Sequence, residues 1–174
     1  MGLRMTRKRA ANVEVQEARP GDWPVLRRLM QLYLYDFAAI EDWDLGDDGL
    51  YGDARRIEGF WRDPRRRSFL VRVDGKLAGF AILREEAHFA GEGTREISEF
   101  FVLRRYRRRG VGEEVARATF DAFPGRWEVA GAARNVEAQA FWRAVIGRYT
   151  NNRYAEVARP DGNGVLQRFD NSAR

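Results

Sequence analysis

The residues best suited to chemistry lie between Glu96 and Glu113. An apolar run, Phe100-Phe101-Val102-Leu103, leads into a basic loop, Arg104-Arg105-Tyr106-Arg107-Arg108-Arg109, and then into Gly110-Val111-Gly112-Glu113. Glycines lack a Cβ, so backbone N–H groups there can close around phosphate oxygens. A helix that starts at this point adds roughly half a positive charge. The arginines add charge-assisted contacts. The stretch therefore reads as an anion site. It is not a dinucleotide fingerprint, because the G-x-G-x-x-G spacing is absent, and it lacks the G-K-[ST] of a P-loop. Just upstream stand Glu96 and Glu99, carboxylates able to take a proton directly or through water. Strand alternation sets Glu96 with Ser98 and Phe100 on one face, and Glu99 with Ile97 and Phe101 on the other. A bulge would upset that parity. The plainer alternatives are an ordinary core strand for Phe100 to Val102 and solvated or ion-paired carboxylates for the two glutamates.

Several elements must position these residues. Val13-Glu14-Val15 alternates like a short strand. Asp22 offers an N-cap with Pro24 just inside a helix that continues through Val25, Leu26, Leu29, Met30 and Leu32. Residues 36–52, rich in acids, aromatics and glycine, read as a loop or broken helix. Asp53 is placed to cap a second helix that Pro64 ends. Residues 68–73 and 77–83 flank Asp74-Gly75, the clearest hairpin signal in the chain. A strand from about Glu96 to Leu103 follows, then a helix over 112–123, a strand over 127–130 and a helix over 136–146. Residues 154–158 and 165–169 close the chain as a hairpin around Pro160-Asp161-Gly162. Residues 1–11 are basic and aperiodic and read as a flexible tail, leaving 12–174 as one domain.

At 174 residues the chain can bury a real core without staples. It has no cysteine and one histidine, His88, which excludes disulfides and thiolate metal sites and argues against a Ser-His-Asp triad or a histidine-rich zinc site. No metal is expected. His88, after Glu85-Glu86, reads as an exposed loop residue rather than a base. No apolar run approaches the roughly 20 residues that span a bilayer, and there is no signal-peptide core, so the expected location is cytoplasmic with no membrane partner. The net charge of +5 is unevenly spread. Arginines cluster at 65–67 and 104–109, whereas residues 29–54 hold seven acids, Asp36, Glu41, Asp42, Asp44, Asp47, Asp48 and Asp53, and no Lys or Arg. One region can attract anions and another cations.

Arg107, Gly110 and Gly112 match the [QR]-x-x-G-x-[GA] hallmark of the GNAT superfamily of acyl-CoA-dependent N-acetyltransferases, which this chain resembles. The apolar strand lies where that family places its cofactor-binding strand. Asn135, Ala138, Phe141 and Trp142 resemble its N-x-x-A-x-x-[FL]-[YW] helix, so the resemblance covers about residues 12–170. It implies an α/β single domain with a mixed, mostly antiparallel central sheet flanked by about four helices. It implies acetyl-CoA as co-substrate and a small-molecule or peptide amine as acceptor. The edge of Phe100, Phe101 and Val102 would pair with the pantetheine amides, and the Val102 N–H would polarise the thioester carbonyl. The N–H groups from Arg108 through Arg109, Gly110, Val111 and Gly112 to Glu113 would hold the pyrophosphate, and Asn135 would contact the pantetheine arm. Glu96 matches the base position of the histone-acetylating branch and stands slightly ahead of Glu99, which matches an acidic position of the polyamine-acetylating branch.

One departure stands out. Where many members carry a tyrosine that protonates the leaving thiolate, this chain has Trp142. An indole cannot supply that proton; Tyr149, Tyr154 or water are the substitutes. The acidic segment suggests a cationic acceptor (a polyamine, an aminosugar or a basic peptide), and Tyr33, Tyr35, Trp43 and Tyr51 nearby could cage a cation or simply pack the first two helices. The competing readings are a catalytically silent acyl-CoA sensor, to which the loss of the tyrosine would correspond, and a nucleic-acid binder using the arginine clusters. The second is weakened because the main cluster coincides with the phosphate loop and no base-stacking motif accompanies it. A monomer or a homodimer is expected.

Overall fold

A computed structural model describes residues 12–52 and 54–173, the side chains of 54–57 excepted. The expected tail and the Asp53 cap lie outside those residues. The elements are β1 (Val13–Glu17), α1 (Trp23–Glu41), α2 (Ala54–Arg62), β2 (Arg66–Val73), β3 (Lys76–Arg84), β4 (Thr94–Val102), α3 (Val111–Ala122), β5 (Arg126–Ala132), α4 (Val136–Thr150), β6 (Ala155–Ala158) and β7 (Gly164–Asp170). They build one sheet in the order β1-β2-β3-β4-β5-β7-β6. Every neighbouring pair is antiparallel except β4 and β5, which run parallel. The β2–β3 hairpin turns at Asp74 (φ 50°) and Gly75 (φ 74°). Two consecutive positive φ angles make the type I′ turn that matches strand twist.

Helices cover both faces. On one, α1 sets Leu26, Leu29 and Met30 against Leu70, Phe80, Ile82 and Phe101, and α2 joins it through Trp61, whose ring centroid lies 4.1 Å from that of Trp23. On the other face, Val111 and Val115 of α3 pack on Val71, Ala81 and Val102. Phe120 of α3 and Trp142, Ile146 and Tyr149 of α4 pack on Ile97, Trp127 and Phe169. Each such buried large side chain stabilises by about 1.5–3 kcal/mol, which holds the sheet rigid between two helical layers.

Three local expectations change. The segment from Asp36 to Glu41 is helical, not loop, because Tyr33, Phe37 and Ala38 prolong the apolar stripe; α1 stops only at Asp42, in the left-handed region with φ 59°. Asp22 occupies the N-cap position, but its carboxylate accepts the Arg19 N–H at 2.8 Å instead of capping α1. Helix α4 runs a turn beyond Ile146, to Thr150.

Candidate active site

The sheet opens at its one parallel pair. β4 and β5 are paired only from Thr94↔Arg126 to Ile97↔Val129, although β4 continues to Val102 and β5 to Ala132. On its other side β4 stays paired with β3 from Glu96 to Val102, in unbroken register from Glu99 onward, and the Leu103 N–H donates to Ala78 O at 2.8 Å. Alternation along that ladder turns the N–H and C=O of Phe100 and Val102 away from β3, toward the opening. An extended amide chain laid there would extend the sheet by one strand. Phe100 walls the opening on the α3/α4 face, its ring 5.0 Å from Trp142 and 5.8 Å from Phe141.

Beyond Val102 the chain makes one short 3-10 turn, Arg104–Tyr106, and reaches α3 through Arg108 (φ 58°) and Gly110 (φ 81°). Among the described residues no side chain caps α3, and a Cβ at Gly110 would meet no atom within 4 Å. The helix start thus borders open space at Gly110, with exposed Arg108 and Arg109 beside it, whereas Val111 is buried and Gly112 packs on Phe141. Glu113, in the first turn of α3, is paired rather than bare. Its carboxylate is held by Arg148 at 2.7 and 2.9 Å, with Arg117 at 3.9 Å, and the Arg148 bond keeps its pKa below the ordinary glutamate value. Arg107 turns inward instead. Its Nε donates to Val102 O at 2.7 Å and its Nη2 reaches Asp36 of α1. Asn135 caps α4, its Oδ1 accepting the Ala138 N–H at 3.1 Å.

The parity of the two glutamates is corrected. Ile82 opposes Glu99 but Leu83 opposes Ile97, so Ser98 is an extra residue, a bulge in β4. The bulge puts both carboxylates on the α1/α2 face. Glu99 hydrogen-bonds the Tyr33 hydroxyl, whose pKa is raised well above 10 by burial first and by the Glu99 charge second. The phenol therefore stays protonated at neutral pH. Glu96 accepts the His88 backbone N–H at 2.5 Å. Next to it across the strand pair lies fully buried Glu128, which accepts the Phe89 N–H at 3.3 Å and pairs with Arg168 at 2.8 Å. The exposed β3–β4 loop is thus pinned by two sheet carboxylates through consecutive N–H groups of His88 and Phe89.

Other expected participants are dispersed. Tyr149 is buried, its hydroxyl 2.7 Å from Asp121 and 3.0 Å from Asn171, so it is not available at the opening. Trp142 is core. The four aromatics form no single cage: Tyr33 packs on Phe80 and Phe101, Tyr35 on Tyr51, and Trp43 on Phe37. Sequence reasoning missed the partnerships of Tyr33 and Asp36. Tyr33 lies four residues from Leu29 and three from Met30, and Asp36 three from Tyr33, a usable signal, since that spacing keeps a helical residue on one face. Among the described residues there is no group of His, Cys, Asp and Glu placed to hold a metal, and no helix long and apolar enough to cross a membrane.

A mixed sheet split at its one parallel pair, with an uncapped, glycine-led helix at the head of the split, is the architecture of an acyl-CoA-binding transferase. The sequence matches the acetyltransferase (GNAT) family over residues 26–147, and the chain belongs to that family of acyl-CoA-dependent N-acetyltransferases. No curated protein sequence matches it. Among solved structures it is similar to an acetyltransferase from Thermus thermophilus (TM-score 0.68, 19% identity, covering 92% of this chain and 98% of that one). It is also similar to the ribosomal L7/L12 α-N-protein acetyltransferase RimL in complex with coenzyme A (TM-score 0.61, 12% identity, 93% and 96%). A third is an aminoglycoside acetyltransferase from an uncultured soil metagenomic sample (TM-score 0.56, 16% identity, 76% and 86%). At these identities the likeness is one of fold.

Proposed function

We propose that this protein transfers an acetyl group from acetyl-CoA to an amine that approaches from the α1/α2 face and attacks the thioester directly. The observation that carries the reading is the opening beyond Ile97/Val129. The edge of Phe100 and Val102 would take the pantetheine amides and the thioester carbonyl, and the N–H groups from Arg108 to Glu113 the pyrophosphate. These residues fit acetyl-CoA because the loop borders open space at Gly110 and, among the described residues, the β4 edge has no strand beside it there.

A lysine-like amine is neutral only about four times in ten thousand at pH 7, so a base matters. Glu99 is the better placed. It lies three residues from Val102, about 10 Å along the strand, whereas Glu96 lies six away, about 20 Å. Both carboxylates accept hydrogen bonds, Glu96 from the His88 N–H and Glu99 from the Tyr33 hydroxyl, so distance decides between them. With Trp142 in the core, the thiolate leaves to solvent or is protonated by Tyr154. Unassisted departure costs roughly 2 kcal/mol at pH 7 for a thiol of pKa about 8.5, small against the many kcal/mol that enzymes remove from a barrier.

The acidic stretch over residues 36–48 supports a cationic acceptor (polyamine, aminosugar or basic peptide), although not all of its acids contribute. Asp36 is committed to Arg104 and Arg107, and Asp48 accepts the Leu50 N–H at 3.1 Å. Asp42, Asp44 and Asp47 remain exposed. Steady-state thiol release with acetyl-CoA and an amine panel tests the reading. Turnover with at least one amine is expected. Tight acetyl-CoA binding without turnover on any amine would mean a sensor instead.

A further inference from the structure

The floor of the acceptor face carries a row of charge that the transfer reaction itself does not require. Register aligns Arg66, Arg84, Glu96, Glu128 and Arg168 across five strands. The far side of the row is closed by the Glu128–Arg168 pair. The β2/β3 side is not. Arg66 is nearly covered, with 13% of its side chain exposed. It lies over the Phe60 ring at 4.3 Å, and its Nη1 donates to the Ser98 hydroxyl at 3.1 Å. The nearest carboxylate in its ion pairs is Asp63 at 3.7 Å, which Arg65 already holds at 3.0 Å. Burial first and the neighbouring Arg84 second push the Arg66 pKa down, against the pull of Glu99, Asp63 and Glu96. Two guanidiniums thus sit side by side, with Glu99, Asp63 and Glu96 as the acids that act on Arg66.

Arg84 carries an unmet donor. Its Nε is shut off from solvent and has no hydrogen-bond partner among the described residues, and the same holds for Trp61 Nε1. Both are donors, and both belong to the face covered by α1 and α2. A buried donor without an acceptor costs about 1–3 kcal/mol, and such orphans in a folded protein call for an explanation. The sealed Nε is out of a ligand's reach, but the Arg84 Nη groups are not sealed in the same way, so an acceptor group would approach through them.

We infer that Arg84, supported by Arg66, forms a carboxylate subsite, so that the acceptor is an amino-carboxylic acid: an amino acid, or a peptide that brings its terminal carboxylate. A guanidinium receives a carboxylate through two parallel N–H bonds, and Glu99 lies on the same face to receive the amine's proton. The inference rests on the transferase reading and narrows it, because polyamines and most aminosugars lack the carboxylate. A basic amino-carboxylic acid satisfies both the acidic rim and the arginine floor.

The test uses the full chain and matched pairs that differ only in the carboxylate: L-lysine against cadaverine and L-lysinamide, L-ornithine against putrescine, and L-phenylalanine against phenethylamine. Calorimetry in the presence of CoA reads binding, and thiol release with acetyl-CoA reads turnover. In at least one pair the acid should bind tenfold or more tighter than its decarboxylated partner. Arg84→Gln should erase that advantage while leaving acetyl-CoA affinity within about twofold, and Arg66→Gln should reduce it. If no pair gains from its carboxylate, or the gain survives in both variants, the subsite is wrong. Carboxylate-dependent binding without turnover would keep the subsite and remove the transferase reading. Turnover that ignores the carboxylate would do the reverse.

Discussion

Asp36 of α1 and Arg107 of the loop before α3 form an ion pair that joins α1 to the open end of β4. The Asp36 carboxylate also receives Arg104 at 2.7 and 3.1 Å, and it is only 17% exposed. Through its Nε, Arg107 holds Val102 O at 2.7 Å, and its guanidinium lies 5.6 Å from the centroid of the Phe101 ring. The family's hallmark arginine is therefore engaged here in fixing the peptide edge that faces the opening.

Asp36→Asn should consequently act on turnover more than on cofactor affinity. Removing a charge-assisted pair whose guanidiniums are partly exposed costs about 1 kcal/mol of stability, at the low end for bonds to charged groups. The urea midpoint should fall accordingly. A Val102 edge that is no longer held should lower kcat about tenfold, equivalent to 1.4 kcal/mol, with the acetyl-CoA Kd changed by less than threefold. A variant that loses only stability would leave the clamp a purely structural one.

Gly110→Val tests the phosphate cradle. A Cβ at Gly110 meets no protein atom within 4 Å, so the substitution does not clash with the fold. Its φ of 81° is costly for a β-branched residue, at roughly 1–3 kcal/mol. The new side chain stands where the pyrophosphate would approach. Calorimetry should show acetyl-CoA binding weakened at least tenfold, about 1.4 kcal/mol. Unchanged affinity in a folded variant would remove the pyrophosphate from this loop.

Much of this arrangement was legible in the sequence because it follows from local rules. The Asp74-Gly75 turn, the apolar strand before Arg107 and the glycine-led helix each read from a few adjacent residues. What escaped depends on contacts between distant segments. The bulge at Ser98 has no local marker, yet it moves Glu96 to the face of Glu99 and decides which carboxylates can cooperate. Asp36 looked like one acid of a solvated loop until the reach of α1 brought it to Arg104 and Arg107, sixty-eight and seventy-one residues away. Arg84 and Glu128 are ordinary strand residues in sequence, and only the sheet register aligns them with Glu96.

The pairing of Glu113 with Arg148 makes a prediction with a sign. In the first turn of α3, a bare Glu113 carboxylate would repel a phosphate, and Arg148 offsets it. Arg148→Ala should weaken acetyl-CoA binding severalfold, and adding Glu113→Gln should restore it. The same pair links stability to pH. Because Arg148 lowers the folded-state pKa of Glu113, its stabilisation is present above the unfolded value of about 4.3 and is lost as pH falls through the lower folded value. The side chains are 57% and 28% exposed, so screening keeps that contribution below about 1 kcal/mol. A Glu113 titration followed by NMR in native and Arg148→Ala protein checks the direction: the pKa should rise in the variant.

Glu99→Gln addresses the base. General-base assistance typically contributes 100-fold or more, so turnover at pH 7 should fall about 100-fold with the acetyl-CoA Kd unchanged. The deficit should shrink as pH rises, because each unit below the amine's own pKa makes about ten times more of it neutral without help. Glu96→Gln should cost much less turnover, since that carboxylate lies about twice as far from Val102 along the strand. Its loss should show instead as a looser β3–β4 loop, read as faster amide exchange at His88. Tyr33→Phe removes a hydrogen bond from Glu99. A bond donated to the charged form favours that form, so without it the acidic limb of the pH–rate profile should move to higher pH. Full activity in Glu99→Gln at pH 7, together with a large loss in Glu96→Gln, would exchange the two roles. Full activity in both would assign proton removal to water alone.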